Sequence, residues 1–314
     1  MAGHLARSGL AVTVYNRTRS RAEAWRAAHE GLDVAVASTP AEAARDAEVV
    51  FACTGADPDL REITLGPSGA FAGMKAGSIF VDHTTASANL ARELAAAAAR
   101  REIGFLDAPV SGGQAGAEQG QLTIMIGGAA AVHARVTGLL DCYAKKQLLL
   151  GPCGSGQLAK MVNQICIAGL IESLAEGIHF AEKAGLDVPR VLEVISQGAA
   201  GSWQMDNRAE SMLEGRFDFG FAVDWMRKDL AMALEEAAGL GLSLPATEVV
   251  DRLYAEVQRA GGGRLDTSSL LLRLRNAGTG GDSSGASVVG ARQSGVVEGA
   301  ATRPEGPGAR KSQS

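Results

Sequence analysis

Gly154-Ser-Gly-Gln-Leu-Ala-Lys160-Met-Val-Asn163-Gln164 marks the point at which the pattern of this 314-residue sequence changes. Ahead of it, short apolar runs alternate with Ala-rich amphipathic stretches; behind it, only helical patterns follow. The strand candidates upstream are Ala11–Tyr15, Val34–Ala37, Val49–Cys53, Ser78–Val81, Gly104–Leu106, Leu122–Ile126 and Gln147–Leu150. Helical patterns such as Ser20–His29, Pro40–Asp46, Ala88–Arg101 and Ala129–Tyr143 lie between them. Strand and helix in repetition predict an α/β fold, a parallel sheet covered by helices.

Downstream, Gln157 to Lys183 reads as one long helix, apolar around much of its circumference between Ile165 and Ile171. Such a helix is expected to be buried, between domains or between subunits. Gly185 ends it, and Asp187 with Pro189 opens the next, an N-cap followed by an early proline. Further helices are expected at Ser202–Glu214, Ala222–Ala238, Pro245–Ala260 and Asp266–Leu274. From Asn276 to Ser314 the sequence is mostly Gly, Ser, Ala, Thr and Arg, which predicts disorder, because such a segment buries too little surface to offset its ordering entropy. The expected organisation is a sheet domain at 1–152, an all-helical domain at 153–275 and a disordered tail at 276–314.

Hydrophobic residues at 46% and charged residues at 21% are those of an ordinary globular protein. A net charge of -5 and the lack of a Lys/Arg cluster exclude a nucleic-acid footprint. Cys53, Cys142, Cys153 and Cys166 show no C-x-x-C spacing, which argues against a metal site and a disulfide framework. They are expected to be buried thiols in a reducing compartment. Met1 to Arg7 has no signal pattern, and no uninterrupted apolar run reaches the length of a bilayer span, so no membrane partner and a cytoplasmic location are expected.

Ala11-Val-Thr-Val-Tyr-Asn-Arg-Thr18 is a strand running into a polar turn. In dinucleotide-binding domains the residue ending this strand meets the adenine ribose: an acid there accepts from the 2′-hydroxyl, whereas a cation accommodates a 2′-phosphate. Asn16, Arg17 and Thr18 at this place favour NADP, with NAD the alternative. No G-x-G-x-x-G lies ahead of Ala11; Met1 to Gly9 reads as the remainder of the helix that should follow such a turn. The expectation is a first strand and loop lost to a misplaced start or a truncated paralogue, with dinucleotide binding weakened accordingly.

Asp107-Ala-Pro-Val-Ser-Gly-Gly113 ends another strand, and Ser111, Gly112 and Gly113 offer a hydroxyl and open backbone N–H groups suited to a carboxylate. Lys160, Asn163 and Gln164 share one helical face beside an apolar run, where a lysine is expected to have a lowered pKa and to exchange protons. In Val81-Asp-His-Thr-Thr-Ala-Ser87, Thr84 or Thr85 is placed to contact nicotinamide or substrate. Asp82 and His83 suggest acid–base chemistry, although His83 reads better as structural. Arg227-Lys228-Asp229 in isolation reads as a solvated charged turn.

Taken in order, these motifs resemble the β-hydroxyacid dehydrogenase family: 3-hydroxyisobutyrate dehydrogenase-like enzymes, related to 6-phosphogluconate dehydrogenases and to glyoxylate/succinic semialdehyde reductases. The resemblance runs from Met1 to about Leu274. It implies a Rossmann-type domain joined by the long helix to an all-helical domain, usually in dimers or tetramers. It implies Lys160 as proton donor and acceptor at the substrate oxygen of a small β-hydroxy acid. Ser111, Gly112 and Gly113 are then expected to hold the carboxylate, with Asn163 and Gln164 assisting. Thr85 and Lys228 match cofactor-contacting positions, and Asn16, Arg17 and Thr18 the NADP-preferring branch. Gln164 stands where the family often has a second asparagine. Two rival expectations are a dimerising scaffold without catalysis and an imine reductase-like enzyme, against which Lys160 weighs.

Overall fold

Small polar residues ahead of apolar stretches start several of the helices. Thr39, Ser87, Asp187 and Ser202 each accept a backbone N–H of the first turn, and Pro40 and Pro189 sit where a missing N–H costs nothing. The computed structural model describes residues 1–277. The chain begins with α1 (Ala2–Arg7), β1 (Val12–Val14), α2 (Arg19–Ala27), β2 (Val34–Val36) and α3 (Pro40–Ala44). It continues with β3 (Val49–Ala52), α4 (Asp57–Leu65), α5 (Ala70–Gly73), β4 (Ile79–Asp82), α6 (Ala88–Ala99) and β5 (Gly104–Asp107). Then come β6 (Val110–Ser111), α7 (Gly113–Gln119), β7 (Leu122–Gly128), α8 (Ala130–Leu140) and β8 (Ala144–Gly151). The helical half holds α9 (Ser155–Lys183), α10 (Val188–Ile195), α11 (Trp203–Leu213), α12 (Val223–Gly239), α13 (Pro245–Val257) and α14 (Leu270–Ala277). Asn276 and Ala277 are thus helical; the rest of the expected tail lies outside the described residues.

The strands form two ladders. β1 and β2 pair in parallel, and the larger sheet runs β3-β4-β5-β7, with β6 and β8 both on β7. Among the described residues no strand joins β1 to β3. The sheet expected to be parallel is mixed: β7 runs antiparallel to β5 and β6. After β5 the chain folds back through β6 and α7 into β7, and a period-2 pattern carries no information about direction. In register, Asp82 of β4 and Asp107 of β5 stand side by side at the carboxyl ends of their strands.

One face of the sheet packs Phe80 edge-on to Phe71 and stacked on Phe105, at ring separations of 5.2 and 5.9 Å. The other buries Ile79, Val81, Leu106, Ile124 and Tyr143. In the helical half, Ile171, Leu174 and Ile178 of α9 pack with Met212, Met226, Leu230, Tyr254 and Leu270.

Burial within the chain is partial for α9 and lower than expected for the cysteines. α9 is buried on one side only: Val162, Cys166, Leu170 and Phe180 (72% exposed) lie along its outer side. By length and composition it could cross a membrane, although polar residues interrupt its apolar run, and here it is the axis of the helical core. The cysteines are not buried either, Cys53 and Cys166 being exposed and Cys142 and Cys153 intermediate. Small thiols on amphipathic elements leave the pattern indifferent to which side they take.

Phe80→Ala is expected to lower the unfolding free energy by about 3–5 kcal/mol, since it removes a ring shared by two aromatic contacts. Urea denaturation measures this, and a loss under about 1 kcal/mol contradicts the packing described.

Candidate active site

The site is organised by the first turn of α9. Gly154 precedes it with φ +96°, a conformation that disfavours any side chain. Asp107 reaches up from the end of β5, and its two carboxylate oxygens accept the Gly154 and Gln157 amides at 2.7 and 2.9 Å. The Gln157 side chain donates to Thr84 O and accepts from Ala86 N–H, tying the same turn to the loop after β4.

Lys160 lies one turn further on, only 7% exposed. Burial holds its ammonium down to about 8; Asp229 opposes that shift and Lys228 adds to it. On the same face, Asn163 donates to Gln164 Oε1 at 2.8 Å, and Gln164 donates to Asp229 Oδ2 at 2.6 Å. Burial pushes the Asp229 carboxyl upward, against the pull of both lysines. Lys228 forms an ion pair with Asp229 at 3.1 Å and donates to Gly55 O and Thr85 O at 3.0 and 2.6 Å. Lys228 and Asp229 of α12 are therefore not a solvated turn; only Arg227 turns away, to Asp251.

Ser111 pairs with Thr123 of β7, and Gly112 and Gly113 follow with φ +127° and +62°. Both values are ones that glycine adopts freely, and neither residue carries a side chain to cover its amide. The first turn of α9 packs on the same strand, so close that a Cβ on Gly156 would meet Met125 O at 2.6 Å. No hydrogen bond links Ser111 to Lys160 among the described residues; β7 is what they share. At the end of β1, Asn16 Oδ1 accepts the Thr18 amide, and Thr18 N-caps α2 without a side-chain capping bond. Arg17 projects into solvent and pairs with Asp59 at 2.8 Å.

His83 is tied into the sheet domain by both ring nitrogens. Its ring nitrogens meet Ala108 O and the Tyr143 hydroxyl at 2.6 and 2.8 Å, and burial lowers it to about 4, so it stays neutral. Sequence reasoning passes over Asp107, Gln157 and Asp229. A trace of Asp229 exists, for it stands between the inward-facing Met226 and Leu230.

Residues 1–151 match the NAD-binding domain of 6-phosphogluconate dehydrogenase, and 154–274 match the NAD-binding domain of NADP-dependent 3-hydroxyisobutyrate dehydrogenase. An uncharacterized oxidoreductase of Shewanella frigidimarina is 56% identical over 274 residues, covering 87% of this chain and 93% of that one. The probable 3-hydroxyisobutyrate dehydrogenase-like 1 of Arabidopsis thaliana, a mitochondrial protein by its name, is 41% identical, covering 87% and 81%. The chain belongs to the β-hydroxyacid dehydrogenase family. A solved member, 3-hydroxyisobutyrate dehydrogenase from Salmonella typhimurium, superposes with a TM-score of 0.78 at 28% identity, covering 87% of this chain and 94% of its own. The chain is accordingly an NAD(P)-dependent oxidoreductase with a Rossmann-like sheet followed by helices.

Within this dehydrogenase fold, Asp82 is fully buried beside Asp107. Its Oδ1 accepts the Thr84 amide, and Oδ2 has no hydrogen-bond partner among the described residues. Burial pushes it up to about 7. An acid whose folded pKa is raised adds stability at low pH and loses it as pH rises through the folded value. Wild-type stability should therefore fall between pH 4 and 7, by at most about 1.4 kcal/mol per pH unit from this group. Asp82→Asn, which keeps an acceptor for Thr84, should flatten that slope and be the more stable at pH 8. Parallel stability–pH curves for the two proteins would refute the assignment.

Proposed function

We propose that this chain carries out reversible hydride transfer between NADP and the hydroxyl-bearing carbon of a small β-hydroxy acid, or its aldehyde or keto form. When bound, the nicotinamide gives or takes the hydride. Everything else falls to the chain's own residues. The observation that carries the proposal is Lys160, buried at the junction of sheet and helices and held down to about 8. Near neutral pH such an amine is poised to work in both directions. As an ammonium, Lys160 donates a proton to the carbonyl oxygen during reduction; as a neutral amine, it takes one from the hydroxyl during oxidation. The Ser111 hydroxyl and the Gly112 and Gly113 amides hold the carboxylate. Asn163 hydrogen-bonds the substrate oxygen beside Lys160, while Gln164 keeps Asp229 in place.

At the cofactor end, the exposed Arg17 guanidinium and a Thr18 hydroxyl not spent on capping suit a 2′-phosphate, with Asn16 shaping the turn. Thr85 and Lys228 flank the nicotinamide end, where Lys228 now bonds backbone carbonyls from two strand ends. The two working units are placed at 1–152 and 153–275, in keeping with family matches that adjoin at 151 and 154. Homodimers or homotetramers are favoured by the apolar outer side of α9.

Lys160→Ala should lower kcat roughly 10²–10⁴-fold on small β-hydroxy acids. In the wild type, kcat/KM for reduction should fall as pH rises through about 8, and kcat/KM for oxidation should rise through the same value. Turnover unaffected by the substitution removes Lys160 from the chemistry.

Arg17→Asp should shift the ratio of kcat/KM for NADP over NAD toward NAD by roughly 10-fold or more, because a carboxylate repels a phosphate yet accepts from a ribose hydroxyl. A ratio unchanged by the substitution, or a wild type preferring NAD, rejects the NADP assignment.

A further inference from the structure

We propose that Asp107 is a positioning residue for Lys160: its carboxylate fixes the first turn of α9 on the sheet, and with it the location of Lys160 one turn along. The inference rests on Lys160 being the proton donor and acceptor. Both Asp107 oxygens are used, each on an amide of that turn. The residue is 0% exposed, so water does not compete for those bonds. No side chain separates helix from sheet: a Cβ on Gly127 would meet Asp107 Oδ1 at 2.5 Å and the Ser155 and Gly156 amides at 2.8 Å. A Cβ on Gly156 would meet Asp107 O at 2.5 Å. The helix therefore rests directly on β5 and β7, and the carboxylate completes the joint. A negative group at the start of a 29-residue helix is also favoured by the aligned peptide dipoles.

An ordinary cap would stabilise α9 and do no more. A positioning residue also controls how dry Lys160 is. Asp229 and Lys228 of α12 are the charged groups facing Lys160, and Asp107 is not one of them. Loss of the Asp107 charge would by itself nudge the Lys160 ammonium down, if it acted at all. Slippage of the first turn would admit water and move it up, toward an ordinary lysine. The sign separates the two roles.

The experiment is an NMR pH titration of lysine-labelled full-length protein without ligand, with the Lys160 signal assigned through Lys160→Arg. In Asp107→Asn the Lys160 midpoint is expected to rise by roughly one unit or more, because an amide faces one of the two N–H donors with a donor of its own. Asp266→Asn is the control. Asp266 is a comparably buried carboxylate accepting the Phe221 and Ser268 amides in the helical half. It should lower Tm while leaving the Lys160 midpoint in place. Gly127→Ala pushes on the same joint from β7 with Asp107 intact and should also raise the midpoint; it decides the matter if Asp107→Asn does not fold. A midpoint that is unchanged or lower in the variants of the joint, or equally raised by Asp266→Asn, overturns the proposal. Failure of the Lys160 assignment would appear instead in the turnover of Lys160→Ala, so the two are distinguishable.

Discussion

Everything in this molecule depends on how one helix meets one sheet. α9 begins against β5 and β7 and ends as the axis of the helical half, so its first turn sets the relation between the two. Backbone meets backbone there, and that forces the composition of the joint: glycine at 127 and 156 for closeness, and glycine at 154 for the turn. A carboxylate then occupies amides that would otherwise be left without partners in a dry place. Lys160, Asn163 and Gln164 follow on the same helix within the next turns.

The electrostatics follow from the same burial. Two lysines and one aspartate gather where α9 and α12 approach the strand ends, and none of the three is left as an isolated charge. Lys228 is shared between Asp229 and two backbone carbonyls, Asp229 is held by Gln164, and Lys160 keeps the least compensation. That inequality goes with the burial that lowers the Lys160 ammonium, while Lys228 is tied into the backbone of two loops. Gln164 bears on this directly. Its amide spans the gap to Asp229, so the longer side chain at this position serves the charge network.

The sequence displays the alternation of strand and helix, the change to helices after Gly154 and the polar face of Lys160, Asn163 and Gln164, because local periodicity encodes each of them. It conceals whatever depends on distant partners. Nothing in the run Leu122–Gly128 announces that it reverses direction. The short helices α4 and α7 have too few apolar residues to show a period. Asp107 looks like part of a substrate loop until Gly154 and Gln157 are seen above it, and Asp229 looks solvated until Gln164 and Lys228 are placed around it. The cysteines mislead for the opposite reason, since a small thiol is compatible with either side of an element.

The split between the two ladders has a consequence for motion. β1 and β2 share no strand pairing with the larger sheet among the described residues, and β1 meets it through side-chain packing, Val12 lying against the core of Ile79, Val81 and Leu106. Cooperative backbone networks open as units, and a small ladder bound mainly by side chains opens at lower cost than the sheet beside it. Amides of β1 and β2 therefore exchange with solvent deuterium well before those of β4 and β5. The Asn16–Thr18 turn, proposed above to meet the ribose, follows directly on β1. Ligand grip there is measured against the entropy of quieting it, so affinity at Arg17 reports local order as much as charge.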